Sequence, residues 1–294
     1  MKIAIYGQYY LNSTEPIIKD IFVFFKKNNV ELIIESAFLE MLYEKNLIHE
    51  TYQTFSSHTE LDSSFDMLIS IGGDGTILRA ATLVRNSGVP ILGINAGRLG
   101  FLATVQKDNI DSFLQLVIDK KYGISKRTLL SLDCCPENKA IKEINFAMNE
   151  ITVSRKDTTS MITIETYLND EFLNSYWADG LIISTPTGST GYSMSCGGPI
   201  LTPDVKSLVI TPIAPHNLNA RPLVIPDETE IKLRVTGRED QYLVSLDSRV
   251  TTVKNESELI IKRNPFEINM VEISEETFLK TLRNKLLWGE DKRN

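Results

Sequence analysis

A carboxylate framed by glycines stands between an apolar run and a helical pattern. Gly72 and Gly73 precede Asp74, and Gly75 and Thr76 follow it. Glycines let the backbone approach a phosphate closely, and free N–H groups at a helix N-terminus point at an anion. Because a carboxylate beside a phosphate needs a metal ion or a proton to accept, the pattern predicts phosphoryl transfer with Asp74 as base. In the alternative interpretation, Asp74 only caps the helix and the glycines only make the turn.

The sequence around this carboxylate matches neither of the two common nucleotide-binding fingerprints. The chain has no G-x-x-x-x-G-K-[ST] segment, and no G-x-G-x-x-G segment follows a predicted strand. Phosphate chemistry here is therefore predicted to differ from that of P-loop and dinucleotide-binding folds. Arg79 lies one helical turn after Thr76, so it could reach a phosphate at that turn, with a surface salt bridge as its alternative role. Arg98, in the loop after the next strand, is a second candidate cation.

Two further stretches carry more polar residues and glycines than packing explains. Asn149 and Glu150 precede a predicted strand and offer donors and acceptors that suit adenine edges and ribose hydroxyls; a polar turn is the alternative. An apolar strand after Asp179 runs into a loop from Thr185 to Ser193, in which hydroxyl side chains alternate with glycine and proline. Such a loop can bind ribose, base edges and phosphates, and a flexible solvated loop is the alternative.

Strands and helices alternate through the first 120 residues. The patterns predict strands over 2–6, 30–34, 67–71 and 90–95, helices over about 14–28, 37–45, 76–84 and 108–120, and a polar loop over 46–64. This alternation predicts an α/β domain with a parallel sheet and helices on both faces, over residues 1–123. Because ligands bind at the carboxyl ends of such strands, segments 72–76 and 95–101 are expected to face one cleft.

After about residue 123 the helical period is absent, and short β-branched segments follow. They cover residues 129–135, 151–154, 161–168, 181–184, 207–210, 230–235, 242–246 and 259–262. We expect a β-rich nucleotide-binding domain over residues 124–272, built as a sandwich or layered sheet, with a hairpin turn at 169–171. The last segment, 273–294, is predicted to hold a helix that packs back on the first domain. Its apolar stripe is Phe278, Leu279, Leu282 and Leu286.

Length and composition limit the class of protein. The chain of 294 residues suggests about two domains, and its 42% hydrophobic and 23% charged residues are typical of a globular protein. The net charge of −7 argues against a nucleic-acid partner. Three cysteines form neither a disulfide framework nor a C-x-x-C metal pattern. The start of the chain is predicted to be a strand and not a signal peptide, and no membrane span is predicted, so we expect a cytoplasmic protein without a membrane partner.

The motifs, taken in order, resemble those of the NAD kinase family. The resemblance spans roughly residues 66–225. It is carried by G-G-D-G-T at 72–76, Asn149-Glu150, Asp179-Gly180, T-P-T-G-S-T-G-Y at 185–192, Gly197-Gly198-Pro199 and Arg221-Pro222-Leu223. A wider superfamily, which includes diacylglycerol-type lipid kinases and phosphofructokinases, shares the first element. The hydroxyl-rich loop combined with Asn149-Glu150 is far more specific.

This resemblance implies phosphorylation of NAD by ATP and Mg²⁺ at the 2′-hydroxyl of the adenosine ribose, with no tightly bound cofactor. It also implies a homo-oligomer, a dimer or a tetramer. Asp74 would be the catalytic base, and Asp179 would contact the nucleotide, with a subunit boundary as one place for that contact. The implied nucleotide-binding residues are Gly72, Gly73, Asp74, Gly75, Thr76, Arg79, Asn149, Glu150, Asp179, Thr187, Thr190, Gly191, Tyr192, Ser193, Met194, Ser195, Ala214 and Arg249.

Two positions depart from the family pattern. Gly191 stands where an alanine is frequent, and Trp177 stands where some relatives have a basic residue, so a phosphate-binding or specificity role at 177 is in doubt. An aromatic ring there could instead stack on a ring of the ligand. Two alternative functions remain at this point. A lipid or sugar kinase would have an acyl channel or sugar-phosphate arginines, and a non-catalytic nucleotide-binding regulator would not need Asp74.

Overall fold

The structure is a computed structural model that describes residues 1–8, 14–97, 100–103, 105, 110–157, 160–273 and 277–288. Contacts divide the chain into two compact units. Unit 1 comprises Met1–Lys126 and Ile268–Asn294, and unit 2 comprises Arg127–Glu267. The chain therefore leaves unit 1, builds unit 2 and returns to unit 1.

A seven-stranded sheet forms the centre of unit 1. Its strands are β1 (Lys2–Gly7), β2 (Glu31–Glu35), β3 (Gln53–Phe55), β4 (Met67–Gly72), β5 (Ile91–Asn95), β6 (Gly123–Arg127) and β19 (Ile268–Glu272). They lie in the order β3-β2-β1-β4-β5-β19-β6, and the pairs from β3 to β19 are parallel. The register of β4 and β5 sets Gly72 opposite Asn95, so the loops that follow these two strands begin side by side.

Helices cover this sheet, as the alternating pattern predicts. They are α1 (Thr14–Lys27), α2 (Ser36–Glu44), α3 (Asp74–Val84), α4 (Ile110–Ile118) and α7 (Phe278–Leu286). Every residue of β4 is buried, which is typical of a parallel strand covered on both faces. Across the described residues, no helix is both long and apolar enough to cross a membrane.

Two six-stranded sheets form unit 2. Their orders are β11-β10-β15-β18-β7-β8 and β14-β13-β12-β9-β16-β17. The strands are β7 (Leu130–Cys135), β8 (Phe146–Ala147), β9 (Glu150–Arg155), β10 (Ile162–Leu168), β11 (Glu171–Ala178), β12 (Gly180–Ser184), β13 (Ser207–Ile213), β14 (Leu223–Pro226), β15 (Ile231–Thr236), β16 (Gln241–Leu246), β17 (Arg249–Lys254) and β18 (Glu258–Arg263). Two short helices, α5 (Lys139–Glu143) and α6 (Tyr192–Ser195), complete the unit.

One apolar cluster is shared by the two sheets of unit 2. It joins Ile164 and Leu233 of the first sheet with Val153 and Ile183 of the second. Strands β15 and β16 alternate between buried and less buried side chains, the pattern of a sheet with one covered face. The layered β-rich half is therefore confirmed. The hairpin is confirmed as well, because Asn169 and Asp170 both have positive φ, as a tight two-residue hairpin turn requires.

Parts of the predicted secondary structure are wrong. The loop over 46–64 contains β3 and a short 3₁₀ helix, His58–Glu60. Strands β6 and β19 were not predicted. Their residues fall almost entirely within the range expected for the second domain, but they pair in the sheet of unit 1, where Met270, for example, pairs with Ile91. On α7 the predicted apolar stripe is too wide, since Leu279 is 57% exposed whereas Leu282 is buried.

Candidate functional site

The first candidate loop lies at the carboxyl end of β4, where the chain turns into α3. Gly73 is the N-cap residue of α3 and Asp74 is its first residue. A Cβ atom on Gly72 would lie 2.2 Å from Oγ1 of Thr76, so only glycine lets the turn close onto this buried threonine. Cβ atoms on Gly73 and Gly75 would meet no heavy atom within 4 Å. The backbone here is thus open to a bound group at a helix N-terminus, where phosphates bind.

The carboxylate of Asp74 is held by the loop after β5 and not by its own helix. Its Oδ2 accepts the N–H of Phe101 at 2.8 Å. Its Oδ1 accepts the N–H groups of Leu102 and Ala103 at 3.0 and 3.1 Å. The interpretation of Asp74 as the helix cap is therefore wrong, since the preceding glycine is the N-cap and the carboxylate bonds outside the helix.

The loop after β5 is shaped to reach this carboxylate. A Cβ atom on Gly100 would lie 1.9 Å from Oδ1 of Asp74, so a side chain at position 100 would push the loop away. The N–H of Ala96 also donates to the carbonyl oxygen of Gly72 at 3.3 Å. The two loops that were expected to face one cleft are thus joined by backbone and carboxylate hydrogen bonds.

The structure describes one of the two predicted cations near this loop. Arg79 is exposed, and within the described ranges its guanidinium forms no ion pair, so the salt-bridge alternative is not found there. Arg98 lies outside the described residues. Among the residues that the structure describes, no group of three or more His, Cys, Asp or Glu side chains could hold a metal ion.

The second candidate group lies at the start of β9, in unit 2. Asp247, in the turn between β16 and β17, accepts the N–H groups of Met148, Asn149 and Glu150 at 3.1, 2.8 and 3.3 Å. These bonds fix the backbone at 148–150. Within the described part of the chain, Oδ1 of Asn149 and Oε2 of Glu150 are buried without a hydrogen-bond partner. Such atoms are rare in folded proteins and need an explanation.

The charge of this group depends on pH near neutrality. Burial, followed by the nearby Asp247 carboxylate, raises the pKa of Glu150 to about 7, although a hydrogen bond from the N–H of Tyr192 lowers it. Burial also raises the pKa of Asp247, against the lowering effect of its three backbone hydrogen bonds and of Arg249. The Asp247 side chain is 5% exposed, and a guanidinium nitrogen of Arg249 lies 3.7 Å from its Oδ2.

Most hydroxyl groups of the loop after β12 hold the loop itself together. Three fully buried hydroxyls bond within the protein, namely those of Thr185 to Met148 O (2.6 Å), Ser189 to Pro186 O (2.6 Å) and Ser193 to Thr211 Oγ1 (2.7 Å). A Cβ atom on Gly188 would lie 2.0 Å from the carbonyl oxygen of Asn149. The loop is therefore a packed support, and the interpretation as a flexible solvated segment is wrong.

One buried hydroxyl of this loop has no hydrogen-bond partner among the described residues. Thr187 is 7% exposed, and its Oγ1 is buried without a partner among the described residues. The N–H of Thr185 donates to the carbonyl oxygen of Asn149 at 2.9 Å, so the loop and the start of β9 are directly linked. A Cβ atom on Gly191 would lie 2.9 Å from Oε2 of Glu150, so glycine at this position leaves the Glu150 carboxyl uncrowded.

The remaining predicted residues of this loop differ in how accessible their side chains are to a ligand. The hydroxyl of Thr190 donates to the carbonyl oxygen of Thr187 at 3.1 Å. In α6, Tyr192 is 46% exposed and Ser195 is exposed, whereas Met194 is partly buried. Tyr192 and Ser195 are therefore accessible, in contrast to Ser193, whose hydroxyl is used internally.

Of three further predicted residues in unit 2, two bind other residues of the protein and one has an unusual backbone conformation. Asp179 forms an ion pair with Arg155 at 3.0 Å. Arg249 donates to the carbonyl oxygen of Ile144 at 2.9 Å. Ala214 is exposed and has a φ of 44°, a conformation that L-residues seldom adopt. Near it, Trp177 is 48% exposed and its ring lies 4.4 Å from that of His216.

Asp247 is not among the residues that the motifs predict for the site. An aspartate between two strands is a typical turn residue, so nothing in its local sequence indicated that its carboxylate binds residues 97–99 positions earlier. Only the pairing of β16 with β9 brings that turn to Asn149 and Glu150.

The fold is shared with solved kinase structures. A crystal structure of yeast NADH kinase complexed with NADH matches with a TM-score of 0.88 at 22% identity, covering 99% of this chain and 88% of that chain. A crystal structure of an NAD kinase from Archaeoglobus fulgidus in complex with ATP matches with a TM-score of 0.72 at 24% identity, covering 97% of each chain. At these identities the likeness establishes the fold, which this chain shares with the two solved kinases.

Sequence comparison identifies the family. Residues 12–122 match the family model of the ATP-NAD kinase N-terminal domain, and residues 148–273 match that of the C-terminal domain. The NAD kinase of Flavobacterium johnsoniae is 78% identical over 294 residues, with full coverage of both chains. The chain belongs to the NAD kinase family, and the resemblance drawn from its motifs is confirmed.

Proposed function

We propose that this chain phosphorylates NAD at the 2′-hydroxyl of its adenosine ribose, with ATP as donor and NADP and ADP as products. The observation that carries the proposal is Asp74, a partly exposed carboxylate held by three N–H groups beside an open glycine turn. Membership of the NAD kinase family supports the choice of substrate.

Asp74 is the base in the proposed step. The 2′-oxygen attacks the γ-phosphorus, and the bond from that phosphorus to the β–γ bridging oxygen breaks, with its electron pair leaving on ADP. The hydroxyl proton passes to the carboxylate of Asp74. A carboxylate has about four acceptor positions, and three N–H donors fill three of them here. The side chain is therefore oriented and keeps one position for the hydroxyl.

The turn from Gly72 to Thr76 is the proposed binding site for the donor phosphates. Its open glycines allow close approach, and the N-terminus of α3 favours negative charge. The exposed Arg79, one helical turn later, supplies a cation. Mg²⁺ would accompany ATP and neutralise charge on the phosphates.

The start of β9 and the loop after β12 are the proposed binding site for the dinucleotide. Adenosine has hydroxyl and amino donors that can satisfy Oδ1 of Asn149, Oε2 of Glu150 and Oγ1 of Thr187, three of the buried atoms that have no partner among the described residues. Thr190 to Ser195, with Asp179, Ala214 and Arg249, remain predicted contacts. A homo-oligomer and a cytoplasmic location also remain predictions.

A coupled assay tests this proposal. Purified protein is mixed with NAD, ATP and Mg²⁺, and an NADP-specific dehydrogenase reports NADP. We expect NADP to form, and we expect Asp74→Asn to lower kcat by roughly 10²–10⁴-fold, as the loss of a general base does, with NAD binding retained in calorimetry. Asp111→Asn, which changes an exposed acidic residue in the first turn of α4, is the matched control and should keep full activity.

Three outcomes would contradict the proposal in different ways. Unchanged turnover in Asp74→Asn would remove Asp74 as the base. Binding of NAD without NADP formation by the unsubstituted protein would favour a nucleotide-binding regulator, and neither binding nor turnover would send the search to lipid substrates.

A further inference from the structure

The last helix, α7, packs against the loop that holds Asp74. The ring centroids of Phe278, on α7, and Phe101, in the loop, lie 6.4 Å apart with an angle of 39° between the rings. The Nζ atom of Lys285, two helical turns later, lies 5.5 Å from the centroid of the Phe101 ring. Both distances are within the ranges of aromatic and cation–π contacts. The side chain of Phe101 is therefore held by two residues of α7.

The backbone of the same phenylalanine controls one oxygen of the carboxylate. The N–H of Phe101 is the donor to Oδ2 of Asp74, whereas Oδ1 takes both Leu102 and Ala103. Each carboxylate oxygen has about two acceptor directions, so the open direction lies on Oδ2. The oxygen that is free to accept a proton is thus the oxygen whose orientation depends on Phe101.

We propose that Phe278 is a positioning residue for phosphoryl transfer. It holds the ring of Phe101, which fixes the N–H of Phe101 and thereby directs the open acceptor position on Oδ2 of Asp74. This inference rests on the proposed function, in which Asp74 accepts the proton of the ribose hydroxyl. It extends the candidate site to a residue 204 positions after the base (278 − 74).

Other residues of α7 anchor the helix independently of this ring. Thr281 and Leu282 are 2% and 5% exposed, so the helix has buried contacts of its own in unit 1. Leu279, the neighbour of Phe278, is 57% exposed. Loss of the Phe278 ring is therefore expected to release the loop more than it releases the helix.

Three substitutions in the full chain test the inference. Phe278→Ala removes the ring, Phe278→Tyr keeps it, and Leu279→Ala removes a side chain of similar size from an exposed neighbouring position. We expect Phe278→Ala to lower kcat roughly tenfold, because a 1 Å misplacement of a reacting group can cost about 10²-fold. The KM values for NAD and ATP should stay within about twofold, since the binding residues are not changed. Phe278→Tyr should restore kcat, and Leu279→Ala should not alter it.

Hydrogen exchange of the amides at 101–103 gives a readout that does not depend on activity. Phe278→Ala should speed their exchange, because opening of the loop exposes these N–H groups, while Leu279→Ala and Phe278→Tyr should leave it unchanged. Thermal unfolding verifies that all variants are folded at the assay temperature.

The results separate this inference from the proposed function. If the unsubstituted protein forms NADP and Phe278→Ala keeps full kcat, or if exchange at 101–103 does not change, the positioning role is overturned while the function stands. A rise in KM with unchanged kcat would overturn it as well. If no NADP forms at all, the proposed function fails, and the exchange data alone decide whether Phe278 holds the loop.

Discussion

Two aspartates in this chain make the same contact in different surroundings. Asp74 in unit 1 accepts three consecutive backbone N–H groups, those of residues 101–103. Asp247 in unit 2 also accepts three, those of residues 148–150. In both places a carboxylate fixes a segment that is remote in sequence. Three N–H donors satisfy most acceptor positions of a carboxylate, so the contact is stable whether or not chemistry takes place there.

The surroundings decide what each carboxylate can do. Asp74 is partly exposed and stands between Gly73 and Gly75, where added Cβ atoms would meet nothing within 4 Å. The side chain of Asp247 is 5% exposed, and the nearby loop is so close that a Cβ on Gly188 would lie 2.0 Å from a backbone oxygen. The two glycines that flank Asp74 therefore leave space for a ligand beside the carboxylate, whereas Gly188 packs against the backbone that Asp247 holds.

The comparison predicts losses of stability of different size when the two carboxylates are removed. Asp247→Ala should lower the free energy of unfolding by about 3 kcal/mol, because it leaves buried N–H groups without an acceptor. Asp74→Ala should lower it by less, about 1 kcal/mol, since water can enter from the open glycine turn beside the carboxylate even though Leu102 and Ala103 are themselves buried. Urea denaturation of both variants measures this difference. Equal losses would show that exposure does not separate the two contacts.

The pH dependence of stability tests the second of the two regions, through Glu150, whose backbone N–H donates to Asp247. The pKa of this residue rises from its ordinary value of 4.5 to about 7 on folding, so the folded protein binds the proton more tightly than the unfolded chain. Stability therefore falls as pH rises from 4.5 to 7, by up to about 3 kcal/mol. Glu150→Gln should remove this fall and should be more stable than the unsubstituted protein at pH 8. Denaturation curves at pH 5 and pH 8 measure the effect, and parallel pH profiles of the two proteins would contradict it.

The smallest effect is expected at an open glycine. Gly75→Ala should leave the free energy of unfolding unchanged or raise it by about 0.5 kcal/mol, because the methyl group meets no atom and the unfolded chain loses freedom. It should raise the KM for ATP about fivefold, equivalent to about 1 kcal/mol, since the methyl group occupies space proposed for phosphate. Gly123→Ala in β6, where a Cβ would make an ordinary 3.7 Å contact, is the control. A loss of stability in Gly75→Ala would mean that the glycine serves packing.

The sequence predicts strands at the centre of a sheet better than strands at its edges. Strand β4 and helix α3 are recovered because a buried apolar run, a glycine turn and a helical period follow each other. Several unpredicted strands lie at sheet edges, including β3, β6, β8, β14 and β17. An edge strand has one neighbour and buries less surface, so its apolar pattern is weak. Strand β19 lies inside its sheet, but its partner β5 is far away in the chain.

The sequence predicts which residues form the candidate site, but it does not predict which hydrogen bonds those residues make with one another. The two loops can be recognised in the sequence because runs of glycine and hydroxyl residues are unusual in segments that only pack. The sequence does not separate Ser193, whose hydroxyl is used by Thr211, from Thr187, whose hydroxyl has no partner among the described residues. That distinction depends on which strands become neighbours, and so does the role of Asp247.

The position of β19 between β5 and β6 has a consequence for protein synthesis. While the ribosome makes residues 127–267, which takes on the order of ten seconds at usual elongation rates, β5 is paired with β4 but lacks β19, its neighbour on the other side, and exposes unpaired backbone groups there. The nascent chain can complete unit 2 before the sheet of unit 1 is closed. An interrupted translation product that ends within unit 2 would therefore carry an open sheet edge, which makes it a candidate for aggregation and for capture by chaperones.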